Sequence, residues 1–524
     1  MRVGMIAGCI ALAGLMGSGL AFAADPLTVA TAEGKLQGKT INEGKVKAFL
    51  GVPYAQPPVG ELRWKMPQPV EKWKGLRDAT KFGPHCAQVH VFDDMIFQDG
   101  KESEDCLYLN VYAPADATEK SKLPVMFWIH GGGYAGGASS EPRHNGDFLP
   151  LKGVVLVTIN YRLGVFGFMS SPELAKENNG KSGNYGLADM LKGLGWVKEN
   201  IRQFGGDPDR VTIFGESAGS FAVSTLVASP KAAGLIHRAI GESGGDFVEN
   251  PETERMAHHE AEDGKWIESL GVKSIAEMRQ MPTDKVLAVA GARKGTMMFF
   301  APIVDGDLLP DTVPAIYAAG KQNKVPVLAG WNKDEGAFLG HGMTVEKWKA
   351  MAKGFYPDEK KAEEFLKLYK GDTDAEAARA ADDLGGDMFI AFSTFRWIEA
   401  NAKTTDKAVY RYHFDLAATP SKYHPGTQAF HSDDIEYVFG TLDTRPGFNV
   451  RPEDRRLSEQ MMTYWTNFAK TGNPNGPGVP EWPKYGADHQ VMHLDATSAA
   501  RADEQYGRYE FLEHQGLPVM PRMF

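Results

Sequence analysis

Short apolar runs alternate with longer amphipathic stretches along most of the chain. Five runs have the length of a strand, and several are apolar at successive positions, as expected where helices cover both faces of a sheet. These runs are Val125–Ile129, Val154–Ile159, Val211–Phe214, Arg238–Gly241 and Val325–Gly330. Their alternation with helical stretches predicts a mixed or mostly parallel sheet with crossover helices.

Helical periodicity is clearest in two stretches. One lies between Ser182 and Gly206, and the other carries Leu457, Met461, Trp465 and Phe468, so both predict half-buried helices. A third stretch, 356–403, is rich in Ala, Glu, Lys and Asp, which favours a helical insertion that could cap a pocket. No internal repeat or low-complexity linker interrupts the pattern, and we expect a single domain over residues 24–524.

Composition excludes several classes of protein. With 43% hydrophobic and 24% charged residues among 524, the chain has ample apolar surface for a large core. The formal charge of −10 comes without any basic run, and phosphate binding needs clustered Lys and Arg. We therefore expect no nucleic-acid partner.

The first residues have the pattern of a cleavable signal peptide. Arg2 supplies a positive charge, Val3–Leu20 is apolar, and Ala21–Ala23 gives an A-x-A cleavage site. The apolar stretch is short for a membrane-spanning helix, and small residues follow it. We expect residues 1–23 to be removed on export to the periplasm or the medium, and we expect no stable membrane insertion of the remainder.

Cysteine usage agrees with export. The chain has three Cys, and removal of Cys9 with the signal peptide leaves Cys86 and Cys106 as a pair. A disulfide between them is the natural interpretation, with two free buried thiols as the alternative. Closing a loop of about 20 residues is worth about 3 kcal/mol. Two Cys without suitably spaced His do not make a zinc site.

A candidate nucleophile follows one of the predicted strands. Gly215–Gly219 reads G-E-S-A-G, comes directly after Val211–Phe214, and precedes the helix-like Phe221–Leu226. Ser217 would thus sit on a sharp strand-to-helix turn, the context of a nucleophile elbow. Glycines on both sides remove side chains that would collide in such a turn.

A serine hydroxyl needs a base, a group that orients the base, and hydrogen-bond donors for the oxyanion. His130–Gly133 reads H-G-G-G directly after a strand, and bare backbone can approach a substrate oxygen closely there. The N–H groups of Gly132, Gly133 and Ala218 are the expected donors. A flexible glycine turn is the alternative for this segment taken alone.

Longer motifs connect these features. The sequence resembles the type-B carboxylesterase family, which includes cholinesterase-like serine esterases, over nearly the whole chain after the signal segment. The resemblance rests on the elbow and on four further segments, Phe49–Ala55, Ser103–Asn110, Asn160–Gly164 and Phe204–Pro208. It implies the α/β-hydrolase fold, with a mostly parallel twisted sheet, helices on both faces and a helical insertion.

The resemblance also implies roles for single residues. It pairs Cys86 with Cys106, identifies Glu335 as the catalytic acid and His431 as the base, and puts the hydroxyl of Ser243 near them. The chain order Ser217, Glu335, His431 is that of α/β-hydrolases.

Spacing alone leaves the choice of acid open. Asp334 and Asp433 remain rival acids, and one of the two neighbours Asp334 and Glu335 could hold the loop instead. Glu216, beside the nucleophile, could influence the protonation of His431, or it could be a hydrogen-bonded loop carboxylate.

The expected activity is hydrolysis of small-molecule carboxylic esters through an acyl-enzyme, with no metal or organic cofactor. Counting from Cys106 places Ile96 where cholinesterase-like relatives hold choline with a Trp, which disfavours choline esters. Met298, Phe299 and Phe300 resemble an acyl-pocket wall, although they could equally be core.

Other activities of the same fold stay open at this point. Amide or carbamate hydrolysis would use the same groups, a lyase is a further option, and a cholinesterase-like binding module without activity is the non-enzymatic alternative. Composition and motifs do not indicate an oligomeric state.

Overall fold

A computed structural model describes residues 27–247, 255–292, 300–336 and 339–518, and an eleven-stranded sheet runs through them. The strands in chain order are β1 (Thr28–Ala30), β2 (Lys35–Gln37), β3 (Lys39–Ile41), β4 (Val46–Pro53), β5 (Leu76–Asp78), β6 (Tyr108–Pro114), β7 (Leu123–Ile129), β8 (Val155–Ile159), β9 (Gly206–Glu216), β10 (Arg238–Glu242), β11 (Val327–Asn332), β12 (Val409–Phe414), β13 (Gln490–Leu494) and β14 (Ala499–Ala502).

The main sheet has the order β14-β13-β12-β11-β10-β9-β7-β8-β6-β4-β3, and β1, β2 and β5 form a small separate sheet. Its centre, from β8 through β13, is parallel throughout, while β3, β4, β6 and β14 pair antiparallel at the two sides. Parallel strands end at one edge of a sheet, and loops following them meet there.

Helices cover both faces of this sheet. They are α1 (Gly164–Phe168), α2 (Pro172–Glu177), α3 (Tyr185–Asn200), α4 (Ala218–Ala228), α5 (Met256–Ser269), α6 (Ile275–Gln280), α7 (Thr283–Gly291), α8 (Val313–Ala318), α9 (Val345–Phe355), α10 (Glu359–Leu368), α11 (Asp374–Gly386), α12 (Phe392–Thr404), α13 (Ile435–Phe439), α14 (Pro452–Thr471) and α15 (Tyr506–Gln515). A π-helical turn, Asp387–Ala391, joins α11 to α12.

Successive residues of the central strands serve two hydrophobic cores. In β7, Phe127 belongs to the core that includes residues of α3, α4 and α12, while Trp128 belongs to the core that includes residues of α13 and α14. Alternate side chains of a strand point to opposite faces, and here both faces are covered. The uninterrupted apolar runs follow from this arrangement.

The five apolar runs predict strands, and β7 to β11 confirm them, although β8 begins at Val155 and β11 begins only at Val327. The predicted helix between Ser182 and Gly206 is shorter, because α3 ends at Asn200 and a 3-10 turn, Ile201–Phe204, leads to Gly205 with a φ of 92°. The stretch 356–403 is helical, as predicted, and contains α10, α11 and α12.

The disulfide between Cys86 and Cys106 is present, with an S–S distance of 2.04 Å. Among the described residues no helix is both long enough and apolar enough to cross a lipid bilayer. The predicted signal peptide, residues 1–23, lies outside the described residues. The single-domain assignment for residues 24–524 stays a prediction.

Candidate active site

Ser217 occupies a strained turn between β9 and α4. Its φ of 54° and ψ of −125° are unusual for a residue with a side chain, and its N–H donates to the carbonyl of Glu242 at 2.9 Å. A Cβ atom on Gly219 would stand 2.0 Å from the carbonyl oxygen of Ile129, and one on Gly215 would stand 2.5 Å from it. Both glycines are therefore required by close contact with β7.

Three side chains predicted from the sequence form a continuous chain of hydrogen bonds. Nε2 of His431 lies 2.9 Å from Oγ of Ser217, and Nδ1 of His431 lies 2.6 Å from Oε2 of Glu335. The other carboxylate oxygen of Glu335 accepts hydrogen bonds from the hydroxyl of Ser243 at 2.6 Å and from the N–H of Asn332 at 2.8 Å. Two hydrogen bonds thus fix one oxygen of the Glu335 carboxylate, and the other oxygen faces the imidazole.

The rival acids are engaged elsewhere. Asp334 accepts a hydrogen bond from the N–H of Ala429 at 2.8 Å and pairs with Arg379. Asp433 pairs with Arg445 at 2.7 Å. Of the two neighbouring carboxylates, Glu335 contacts His431 and Asp334 holds the loop, an assignment that spacing alone left open.

Glu216 is a fourth ionisable group at the same place. It is buried, and its Oε1 lies 3.3 Å from Nε2 of His431. Burial raises the pKa of Glu216 to about 8, although the nearby His431 opposes the rise. Burial alone would lower the pKa of His431, but the charges of Glu216 and Glu335 outweigh it and raise that pKa to about 9. The two groups therefore control each other's protonation.

The glycine segment lies directly against the serine. A Cβ atom on Gly131 would stand 3.1 Å from Cβ of Ser217, and Gly132 and Gly133 have φ values of 101° and 62°. Ala218 is the first residue of α4, and the first N–H groups of a helix have no partner within the helix. Backbone donors of both segments are thus available beside the hydroxyl.

His130, at the start of this segment, anchors it. Its ring stacks on Tyr161 with 4.4 Å between ring centroids, and its Nδ1 lies 2.8 Å from the carbonyl oxygen of Gly131. The hydroxyl of Tyr161 donates to the carbonyl of His130 at 2.7 Å. Burial lowers the pKa of His130 to about 4, so it is neutral at neutral pH.

A family model described as the carboxylesterase family matches residues 25–512. This chain belongs to the carboxylesterase family. It is 36% identical to carboxylesterase 1D of Rattus norvegicus, over 91% of each chain. It is also 36% identical to fumonisin B1 esterase of Sphingopyxis macrogoltabida, over 86% of this chain and 83% of that protein.

Solved structures agree with this assignment. A structure titled PNB esterase superposes with a TM-score of 0.78 at 32% identity, covering 93% of this chain and 99% of the other. The protein therefore has the α/β-hydrolase fold and is a carboxylic ester hydrolase. The alternative of a binding module without enzymatic activity is set aside by these findings.

Two apolar side chains beside the carboxylesterase site were not predicted. The methyl group of Met95 lies 2.9 Å from the position that a Cβ atom on Gly132 would take. The ring of Phe389, 44% exposed, lies 5.1 Å from that of His431, measured between centroids. Met95 is the chain neighbour of Ile96, and Phe389 lies within the stretch 356–403, for which the sequence predicts a helical insertion.

The predicted acyl-pocket residues are described only in part. Met298 and Phe299 lie outside the described residues. Phe300 is buried, and its ring lies 5.9 Å from that of Trp266 in an edge-to-face contact. The role of the three residues as a substrate wall stays a prediction.

Proposed function

We propose that this carboxylesterase cleaves its substrates through an acyl-enzyme on Ser217, with His431 as general base and acid and Glu335 orienting the imidazole. The observation that supports this most directly is the chain of contacts from Oγ of Ser217 through His431 to Glu335, at 2.9 and 2.6 Å. Both distances are those of hydrogen bonds along which a proton can move.

Acylation begins when Nε2 of His431 accepts the proton of Ser217 as Oγ attacks the ester carbonyl. The carboxylate of Glu335 accepts the Nδ1–H hydrogen bond and stabilises the imidazolium that forms. The N–H groups of Gly132, Gly133 and Ala218 donate to the negative oxygen of the tetrahedral intermediate. His431 then gives its proton to the departing alcohol, and the acyl-enzyme remains.

Deacylation repeats these steps with water as the nucleophile. His431 takes a proton from water, which attacks the acyl carbonyl, and the proton returns to Oγ of Ser217 as the acid leaves. The hydroxyl of Ser243 donates to Glu335 at 2.6 Å, so Ser243 is a positioning residue.

The substrates that fit best are uncharged aryl or alkyl esters. Phe389, beside His431, is 44% exposed, and Ile96, the chain neighbour of Met95, is 38% exposed. Binding is favoured when an apolar group of the substrate covers such exposed apolar side chains. Ile96 offers no aromatic face to a quaternary ammonium, which disfavours a choline ester. Amides and carbamates belong in the same test, because they pass through the same tetrahedral chemistry.

The test is steady-state and rapid-mixing kinetics on nitrophenyl esters of increasing acyl length, alongside a choline ester, an amide and a carbamate. Wild-type enzyme is expected to release nitrophenol in a burst on at least one ester. Ser217→Ala should lower turnover by about 10⁴-fold or more, while the control Ser121→Ala, at an exposed site, should leave it unchanged. Wild-type turnover in Ser217→Ala would refute the proposal.

Export also belongs to the proposed function. The basis is the signal-like pattern of residues 1–23 together with the Cys86–Cys106 disulfide, a bond that persists in oxidising compartments. N-terminal sequencing of protein from the periplasm and the medium should begin just after Ala23. An intact N-terminus on cytoplasmic protein would contradict export.

A further inference from the structure

Two histidines and one aspartate meet at the ends of β12 and β13. His413 and His493 are register partners in this parallel pair, and Asp415 directly follows β12. Nδ1 of His413 lies 2.8 Å from one oxygen of Asp415, and Nδ1 of His493 lies 2.6 Å from the other. All three potential ligand atoms lie within 4.8 Å of one another.

The backbone fixes the position of the carboxylate. The N–H of Asp415 donates to the carbonyl of Leu494 at 2.8 Å, which ties the end of β12 to the end of β13. The side chains of His413, Asp415 and His493 are 8%, 16% and 21% exposed. The cluster is therefore held by the sheet but remains open to an ion and to water.

The carboxylate of Asp415 supplies the anionic ligand of the cluster, and each of its oxygens contacts one imidazole nitrogen. Arg411 lies on the same face of β12 as His413, because alternate residues of a strand share a face. Its guanidinium is paired with Asp503 and stacks on Trp331 at 4.4 Å, so its charge is largely compensated.

Two imidazole nitrogens and one carboxylate oxygen are ligands that Zn²⁺ prefers, with water as the fourth ligand of a tetrahedron. Ligand atoms about 2.1 Å from the ion would be about 3.4 Å apart. The present contacts at 2.6 and 2.8 Å would thus open by about 0.6 to 0.8 Å. Each neutral imidazole would move its proton from Nδ1 to Nε2, so that no proton is lost.

We propose that His413, Asp415 and His493 form a binding site for Zn²⁺ or a similar divalent transition metal that clamps β12 to β13. The site shares no residue with the esterase machinery. It lies on the same sheet edge, because the N–H of Lys333, just before Glu335, donates to the carbonyl of Phe414 at 2.9 Å. The metal would stabilise this edge and would take no part in the cleavage of esters.

The test uses full-length enzyme freed of metal with a chelator and then titrated with zinc chloride in a calorimeter at pH 7.5. One Zn²⁺ per chain is expected, with affinity lowered at least tenfold in His413→Ala and in His493→Ala. His258→Ala is the matched control, since His258 and His259 are neighbours that could bind zinc adventitiously. The affinity of His258→Ala for Zn²⁺ should equal that of the wild-type enzyme.

Thermal unfolding provides a second readout that does not depend on esterase activity. Zinc should raise the melting temperature of wild type and of His258→Ala, and should leave that of His493→Ala unchanged, because binding stabilises only chains that retain the site.

Three outcomes would overturn the proposal. They are no stoichiometric binding by wild type, binding that survives in both His413→Ala and His493→Ala, and binding lost in His258→Ala alone. Ester hydrolysis is measured in parallel and should be the same with and without zinc. Failure of the zinc site is therefore distinguishable from failure of the proposed catalytic mechanism.

Discussion

Oε1 of Glu216 lies 3.3 Å from Nε2 of His431, the same nitrogen that contacts Oγ of Ser217 at 2.9 Å. The base of the proposed mechanism therefore has a carboxyl group on each nitrogen, Glu335 on Nδ1 and Glu216 on Nε2. Glu335 is fixed by further hydrogen bonds, whereas Oε1 of Glu216 has no hydrogen-bond partner among the described residues. The protonation of Glu216 therefore depends on the charge of His431.

Replacing Glu216 by Gln should shift the pH dependence of the enzyme. A negative Glu216 favours the imidazolium and raises the pKa of His431, so a neutral Gln of similar shape lowers it. His431 must be neutral to accept a proton, and a lower pKa makes it neutral at lower pH. The rising limb of kcat/KM against pH should move down by about one unit or more.

The matched control for this variant is Glu199→Gln at an exposed site, which should keep the wild-type profile. A rising limb in Glu216→Gln that stays in place, or that moves to higher pH, would show that Glu216 does not set the protonation of His431. The profile is measured on an ester whose alcohol does not itself titrate in the range studied.

Loss of the charge on Glu335 should lower mainly kcat, whereas loss of the charge on Asp334 should lower mainly stability. Glu335→Gln removes the acceptor that holds the imidazole, and kcat should fall by about 10⁴-fold, as for an amide in place of a triad carboxylate. Asp334→Asn weakens the contacts to Ala429 and Arg379, costing about 1 to 3 kcal/mol of stability but less than about tenfold in kcat. The reverse pattern in kinetics and urea unfolding would make Asp334 the acid.

Gly132 should be essential for the rate. With a φ of 101°, and with a Cβ atom 2.2 Å from the carbonyl oxygen of Gly136, alanine there would displace the proposed donors. Losing such a donor costs about 10² to 10³ in kcat. Gly478→Ala is the control, because Gly478 has a φ of 85° with open space around it. Equal loss of kcat in both folded variants would point to general backbone strain.

Phe389→Ala tests the wall of the substrate site. The ring is exposed and lies 5.1 Å from that of His431, so its loss removes a contact to substrate without opening a core cavity. KM for a nitrophenyl ester with a bulky acyl group should rise by about 2- to 10-fold, with the melting temperature unchanged. KM values that stay equal across the ester series would remove Phe389 from the substrate site.

The sequence predicts most of the fold because its central strands carry a strong signal. A strand covered on both faces is apolar at nearly every position, as Val155–Ile159 is apart from Thr158. The strand β12 gives a weaker signal, since Arg411 and His413 alternate with aromatic residues along it. Those two polar side chains are buried because Arg411 pairs with Asp503 and His413 contacts Asp415. Asp503 lies 92 residues further along the chain, so its pairing with Arg411 leaves no local pattern.

The candidate site also contains residues that the sequence predicts and residues that it does not. The turn at Ser217 and the glycines after β7 are predictable, because close backbone contacts demand small residues at those positions. The choice between Asp334 and Glu335 depends on which side chain faces His431, a matter of loop geometry. Met95 and Phe389 lie in a disulfide-closed loop and a π-helical turn, where no periodicity indicates the direction of a side chain.

The central claim is that Ser217 is the nucleophile, and covalent labelling tests it most directly. Wild-type enzyme is treated with a fluorophosphonate until hydrolysis of a nitrophenyl ester stops, then digested and mapped by mass spectrometry. We predict one phosphonyl group per inactivated chain, on the peptide that contains Gly215–Gly219 and localised to Ser217, and no label on Ser217→Ala. Inactivation with the label on another residue, or full labelling of Ser217→Ala, would contradict the account.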